Sequence, residues 1–510
     1  MSLKILIITN ENIISPCFRL RLGYFLDYLK KQKRVDYYVN DLSHYSVSDI
    51  IIIQRNATFT PELLRLMINN PKPVIYETDD FFQQLPLHTH SRSLRSSITL
   101  KLRLLGSWNA TFITSTPYLA DKLSVYSEDV NVIYNTSRYV SYKVQPATTT
   151  GTCLVSFIGT ATHSRDFVII GNALERIAEK YRHVRYLFMG DRPRNLQENI
   201  PMDYCPFSDD YQKAMSRFRS YRPDIGIAPL LDTQFNRAKS AIKYIDYTYA
   251  GAVGIYSNIV PYRGIIGGIL VKNHQDQWYE GICRLIENPE LRIQLYKKAV
   301  DDIKDRFSFN VESERFFDIL ERVACTKALP SKARKETVIR LAIHARDSGQ
   351  TVEFLEYVRL FYPVYLKDHI TVQDVFDAVD KTDYKSFSIN LVAEAITATG
   401  SIEKRNALCK SWTNAFITQP YFRIRNIELE MYQFASKERT KGSVANALII
   451  FKRILQKSSE PAVRAGAAFH LGEIALRSSD HSKAIKCFTE CTALNPEHSK
   501  AKRYLRKLTR

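Results

Sequence analysis

The feature that most constrains this chain is an alternation that stops and then starts again. Short, β-branched runs stand at "KILIITN" (4–10), "DIIIIQR" (49–55), "PVIYET" (73–78), "ATFITS" (110–115) and "VNVIYN" (130–135). Helical patterns lie between most of them, for example at 17–31, 61–69 and 116–126. Apolar strands interleaved with helices specify a parallel sheet covered on both faces. A polar, Thr-rich break follows, "QPATTTGT" (145–152), and reads as a linker. The alternation then resumes with "CLVSFIG" (153–159), a helix at 164–180, "VRYLFMG" (184–190), a helix at 209–220 and "DIGIAPL" (224–230). A further helix, "AVGIYS" (252–257), "GILVK" (268–272) and helices at 276–287 and 289–305 close this part.

The expected fold class is therefore α/β, with two Rossmann-like doubly wound domains, 1–148 and 149–325. An all-α helical-repeat domain is expected over 326–510. A length of 510 residues accommodates about three domains. Past "KALPSKARKE" (327–336), amphipathic helical patterns such as "ETVIRLAIHARDSG" and "VANALIIFKRILQK" dominate. The sharpest stretch is 465–498. There Leu471-Gly472, Ala475, Ala484, Phe488 and Pro496 stand at the offsets of a tetratricopeptide repeat. Cys491 replaces a usual Ala, and Ala447, Phe451 and Pro461 form a weaker preceding copy. The alternative is an ordinary helical bundle.

The chain carries 72 Lys+Arg against 53 Asp+Glu, a net +19. That balance favours an anionic partner such as nucleic acid, a membrane surface or phosphorylated ligands; a generally basic soluble protein is the plainer alternative. Eight scattered cysteines without a CxxC pair argue against a zinc ribbon or a thioredoxin-like site and for a reducing, cytosolic compartment. Cys487 and Cys491, four apart on an expected helix, read as packed thiols. "MSLKILIITN" is too short for a signal peptide. No run reaches membrane-spanning length, so any membrane association is expected to be peripheral, on the inner face of the cell membrane.

Open α/β sheets bind ligands beyond the C-terminal ends of their strands, which directs attention to the residues there. "ENIISPCFRLRL" follows the first strand without the GxGxxG of a dinucleotide fold. Arg19 and Arg21 open the first helix and either bind an anion or are solvated. "TDDFFQQLPLHTH" places Asp79 and Asp80 at a strand end, where paired acids bind sugar hydroxyls or act as a base, unless they cap a helix or sit in a solvated turn. His88 and His90 make a poor metal pair, and no metal site is expected. In "FIGTATHSRD", Gly159 and Thr160 end a strand, and His163 and Asp166 begin the next helix. A glycine there admits a ligand close to the backbone, and helix N–H groups attract an anion.

"FNRAKSAIKYIDYTYAG" (235–251) reads as one helix. Ala238, Ala241, Ile242, Ile245 and Tyr249 form its buried face, Asn236 its N-cap and Gly251 its stop. Lys239, Lys243 and Asp246 form a separate stripe. Two lysines four apart near a helix N-terminus repel each other and the dipole. A phosphate placed there would offset the cost, and Asp246 could accept from sugar hydroxyls. The alternative is a solvated lysine face with a Lys243–Asp246 pair.

"YETDDFFQQLP", "FIGTATHSRDF" and "DIGIAPLLDTQFNRAKSAIKYIDYTYAGAVGIYSNIVPYRG" together resemble a group of bacterial GT-B glycosyltransferases related to retaining family 4. The resemblance covers roughly 1–320 and is most specific from Asp224 to Arg263. It implies an acceptor-side first domain and a nucleotide-sugar-binding second one. The sugar diphosphate would lie near Gly159, Thr160, His163, Lys239, Ser240 and Lys243. Asp246 matches the second acid of the E-x7-E element and would hold the ribose; the first acid falls at Ala238 and is missing. Arg19 and Arg21 occupy the place of the relatives' Gly-rich loop. Asp79, Asp80 and Lys239 are the catalytic candidates. No cofactor or metal is implied, only a nucleotide-diphosphate sugar as co-substrate. The partners implied are a glycan, lipid-linked or protein acceptor, a protein on the C-terminal repeats and an anionic membrane surface, with no nucleic acid. Transfer in bacterial surface polysaccharide synthesis, protein glycosylation and a non-catalytic scaffold are the functions that compete.

Overall fold

A computed structural model describes residues 2–85, 92–136, 151–160, 163–193, 200–206, 208–366 and 368–370, then 374–375, 378, 432, 435–436, 444–458 and 461–509. The expected linker up to residue 150, His88, His90 and the helical patterns of 379–431 lie outside the described residues. The chain divides into two compact units, Met1–Arg334 and Lys335–Arg510.

The first unit holds two six-stranded parallel sheets. The strands of the first are β1 (Leu3–Ile8), β2 (Val35–Val39), β3 (Ile50–Gln54), β4 (Val74–Thr78), β5 (Thr111–Thr114) and β6 (Val130–Val132), in the order β2-β1-β3-β4-β5-β6. The second has β7 (Cys153–Ile158), β8 (Val184–Met189), β9 (Met202–Cys205), β10 (Ile225–Ala228), β11 (Val253–Ser257) and β12 (Gly268–Val271), in the order β12-β11-β10-β7-β8-β9. In each sheet the first strand after the domain start is internal, with strands added on both sides. That order gives each sheet a switch point where the connections reverse direction. This is the two-domain α/β architecture read from the alternation.

The central strands are buried throughout, as in β3, whose Ile50 to Ile53 are all fully buried. Two edge strands escape the apolar-run criterion. "VDYYV" of β2 is half-buried and carries Asp36, and "MDYC" of β9 is largely exposed. Edge strands need only one covered face, so their sequences alternate or turn polar.

Helix boundaries follow capping chemistry. Thr60 and Thr116 accept from the amides of Leu63 and Leu119, each ahead of a proline at the first helical position. Asp210 caps Tyr211–Ser220 in the same way, within the helix expected at 209–220. The expected helix at 164–180 is broken: a single turn at Asp166–Ile169 gives way at Gly171 (φ 54) to a helix at Ala173–Lys180. The helix expected over 17–31 opens with an α turn at Pro16–Phe18, widens into a π turn at Arg19–Gly23 and continues as Tyr24–Lys31.

One helix crosses over. Phe309–Ala324 follows the second sheet in sequence but packs on the first: Phe316, Phe317, Ile319, Leu320 and Val323 enter the core formed by Ile5, Ile7, Ile50, Ile52, Phe25 and Leu29. Its charged edge adds Arg322–Asp129 at 2.7 Å and Arg34–Glu314 at 2.8 Å.

In the second unit the described elements are helical, including Thr351–Phe361, Val444–Lys457, Pro461–Arg477, His481–Leu494 and Ser499–Leu508. Ala465, Ala468, Ala475, Ala484, Phe488 and Cys491 form a shared core. A side chain at Gly472 would meet the Phe488 ring at 2.6 Å, so the glycine permits the close approach of two helices. Cys487 and Cys491 are buried thiols.

Candidate active site

The C-terminal ends of the two sheets face one cleft of about 390 Å³. Asp79, Asp80, Gly159, Thr160, His163, Lys239, Ser240, Lys243 and Asp246 all line it. These positions, spread over 168 residues of sequence, are gathered because each follows a parallel strand or opens the helix after it.

The segment read as one helix is two pieces. Gln234–Arg237 is a single turn capped by Thr233, and the helix proper is Ile242–Ala250, ending at Gly251 in the left-handed region (φ 91). Asn236 is not the cap. It is buried, and its amide nitrogen donates to Asp166 at 3.0 Å and to the Leu231 carbonyl at 2.9 Å. Between the pieces, residues 238–240 touch the first sheet's side. Thr116 donates its hydroxyl hydrogen to the Ala238 carbonyl at 3.0 Å, and Asn135 donates to the Ser240 hydroxyl at 2.8 Å. Lys239 therefore precedes the helix, and its repulsion of Lys243 persists although the two do not share one continuous helix. Lys239 Nζ instead lies 3.7 Å from Asp80 of the first sheet and over the Phe235 ring.

Lys243, in the helix's first turn, is buried. It donates to the Ile158 carbonyl at 2.8 Å and approaches His163 Nε2 at 3.4 Å. Burial, then the charge of Lys239, lowers its pKa to about 8. Burial and the two lysines push His163 well below the ordinary histidine range, so the ring is neutral. Its Nδ1 lies 2.9 Å from Asp166, which fixes that nitrogen as the donor and leaves Nε2 to accept from Lys243. Burial raises Asp166 to about 6 against its bonds to the Leu231 amide and Asn236. Asp246 also rises to about 6 by burial. It accepts from the Tyr211 hydroxyl at 2.6 Å rather than pairing with Lys243 in an ion pair. Gly159 keeps this floor flat: a side chain there would lie 3.0 Å from both Lys243 Nζ and His163, and 2.7 Å from Phe157.

On the opposite wall, Arg55 organises the acids. It follows β3 directly, in the left-handed region (φ 53), an expensive conformation for a bulky residue. Its guanidinium donates to Glu11 at 2.9 Å, to Asp80 at 3.1 Å and to Asp79. Burial raises the Asp80 carboxyl, but Lys239 and Arg55 outweigh it and hold the group below its ordinary pKa. Both acids are therefore part of a charged cluster and not a solvated turn.

Arg19 and Arg21 do not join the cleft. Arg21 is fully buried, with Nε on Glu77 at 2.7 Å and Nη1 on the Ile133 carbonyl and Asn135. Burial drives the Glu77 pKa up, against the pull of Arg21. Arg19 pairs with Asp27 at 2.8 Å and covers the Tyr24 ring. Both side chains find their partners within the first domain, where the sequence left anion binding and solvation open. Arg55, Glu11 and Tyr211 were not singled out in the sequence. Arg55 and Glu11 stand just beyond β3 and β1, so the strand-end rule would have found both.

Among the described residues no group of three or more His, Cys, Asp and Glu side chains could hold a metal ion, and no helix is long and apolar enough to cross a membrane.

No protein-family model matches the chain, and no curated protein matches it by sequence. Among solved structures, it is similar to the HepE protein of Anabaena in complex with UDP-glucose, at 14% identity and a TM-score of 0.45, over 62% of this chain and 99% of that one. A glycosyltransferase of Rickettsia africae shares 12% identity at a TM-score of 0.45, over 64% and 100%. An α-glucosyltransferase solved with UDP-glucose and DNA containing an abasic site shares 12% at 0.45, over 63% and 100%. Similarity of this degree carries no argument about substrate or reaction.

Proposed function

We propose that this protein is a glycosyltransferase that moves a sugar from a nucleoside diphosphate to an acceptor hydroxyl. The observation that carries the reading is that Lys239, Lys243 and the start of the Ile242–Ala250 helix line one cleft together with Asp79 and Asp80. A diphosphate bound there meets two cations and backbone N–H groups. Asp246 and Tyr211 line the same cleft, and the nucleoside ribose would donate to the carboxylate there.

In the reaction, the bond between the anomeric carbon and the diphosphate oxygen breaks, and its electron pair leaves with the phosphate. The acceptor oxygen forms the new bond and gives its proton to Asp79, Asp80 or the departing phosphate. Negative charge grows on the leaving group, and Lys239 and Lys243 are already in place to stabilise it. The chemistry needs no metal, and in our reading the enzyme is metal-independent. In the wider reading, transfer is retaining and serves bacterial surface polysaccharide synthesis at the inner face of the cell membrane. The paired C-terminal helices, with Gly472 packed against Phe488, fit a tetratricopeptide-like repeat that docks a protein partner or a protein acceptor.

Thermal shift against UDP-, GDP- and ADP-sugars tests the enzyme reading, since a ligand that binds only the native state raises the midpoint. A shift with one nucleotide class, lost in Lys239→Ala, is expected. No shift with any of them, together with no nucleotide-sugar turnover, sinks it and leaves the scaffold alternative. Deleting 337–510 tests the docking role: loss of transfer to a protein with donor hydrolysis intact supports it, and equal loss of both refutes it.

A further inference from the structure

The cleft is electrically two-sided. On the first sheet's wall, the charged side chains among the described residues are Glu11, Asp79 and Asp80 against Arg55. On the second sheet's wall they are Lys239, Lys243 and Asp246. The Arg55 guanidinium is committed, each of its three nitrogens donating to a carboxylate. The three carboxylates stay about one-fifth exposed, at 21%, 19% and 20%, so each keeps lone pairs open to the cleft. Asn56, next in the chain, lines the same wall. Its side-chain oxygen is buried and accepts no hydrogen bond among the described residues. Pro16, Leu20, Phe82 and Leu85 supply apolar lining. The charged part of this wall thus offers carboxylate acceptors, while its one guanidinium is already engaged by them.

We infer that the acceptor is a neutral or amine-bearing, hydroxyl-rich molecule held by Glu11, Asp79 and Asp80, and that acceptors bearing phosphate or carboxylate beside the reacting hydroxyl are rejected. The inference rests on the glycosyltransferase reading and specifies the other half of its cleft. Hydroxyl and ammonium groups donate to carboxylates in charge-assisted bonds. An anion in the same place meets like charge, loses its hydration and must compete with three carboxylates for Arg55 and Lys239, which is how a site discriminates by repulsion. The diphosphate of the donor is drawn to the opposite wall for the same reason, so the charge asymmetry also orients the two substrates.

The test uses the full chain and the sugar nucleotide that stabilises it. Methyl glucoside and glucosamine are compared with glucuronic acid and glucose 6-phosphate as acceptor probes. Release of nucleoside diphosphate above the acceptor-free rate is measured, and binding of each probe is followed by saturation-transfer NMR. The neutral and cationic probes should bind and accelerate release, and the anionic ones should do neither. Glu11→Gln should narrow the gap between the classes by roughly fivefold, the effect of removing one partly screened charge. Anionic probes that bind or react as well as neutral ones overturn the inference. So does a protein that binds the sugar nucleotide yet registers no probe by either readout. Failure of every sugar nucleotide to bind is a different result: it removes the enzyme reading, and the acceptor inference falls with it.

Discussion

Asp80 and Lys239 approach each other from different sheets, with their charged atoms 3.7 Å apart. Each is about four-fifths buried, at 20% and 19% exposure, so the pair is less screened than an exposed one. On the proposed reading, a donor diphosphate would compete with Asp80 for the same ammonium. Lys239→Ala should lower kcat/KM for the donor by roughly 100-fold, the scale of losing one fixed electrostatic contact in a transition state. Steady-state kinetics with the wild type as reference checks this; a change under about threefold would place the diphosphate elsewhere.

Donor use should depend on pH through Lys243. Burial lowers its pKa to about 8, and only the charged form attracts phosphate. The ammonium is intact below pH 8 and is lost as the pH rises through it. Donor kcat/KM should therefore fall above about pH 8, approaching tenfold per unit. A second limb is expected near 6, where Asp246 takes up a proton and stops accepting from the ribose. A pH profile of kcat/KM shows both limbs, and Lys243→Met should remove the upper one together with most of the activity.

Arg21 separates a structural role from a binding one. Its partners are Glu77, Asn135 and a backbone carbonyl, all inside the first domain. Arg21→Met leaves the Glu77 carboxylate buried without its cation and should cost about 3–5 kcal/mol in urea unfolding. A loss of ligand affinity at unchanged stability would restore the anion-binding reading that the sequence left open.

Gly159 tests the flatness of the donor floor. Gly159→Val drives a branched side chain into Lys243, His163 and Phe157, atoms that a strand and a helix hold in place. Donor affinity, read by calorimetry, should fall at least roughly tenfold from the displaced ammonium and the lost close approach.

The fold was legible because the central strands are uninterrupted apolar runs, as in Ile50 to Ile53. The edge strands β2 and β9 were not, since half of each faces outward and its residues look like loop. In the site, Asp79, Gly159 and Lys239 could be found by their place after a strand. The role of Arg21 could not, because the residues that claim it, Glu77 and Asn135, are 56 and 114 positions away and no local pattern announces them. The break at 238–241 was equally hidden. The Ala238 carbonyl there is held by Thr116 and the Ser240 hydroxyl by Asn135, and that tertiary attraction overrides a good helical pattern.

The helix Phe309–Ala324 returns to the first sheet after the chain has built the second. The polypeptide therefore passes between the two sheets twice. Severing the first passage leaves a fragment that still carries five core side chains of its neighbour's sheet. Fragments 1–136 and 151–334, produced separately, should find each other and rebuild the cleft, whereas a second fragment stopped at residue 308 should not. The two walls of the cleft would then be supplied by different chains, and nucleotide-sugar binding, on the proposed reading, should report their meeting.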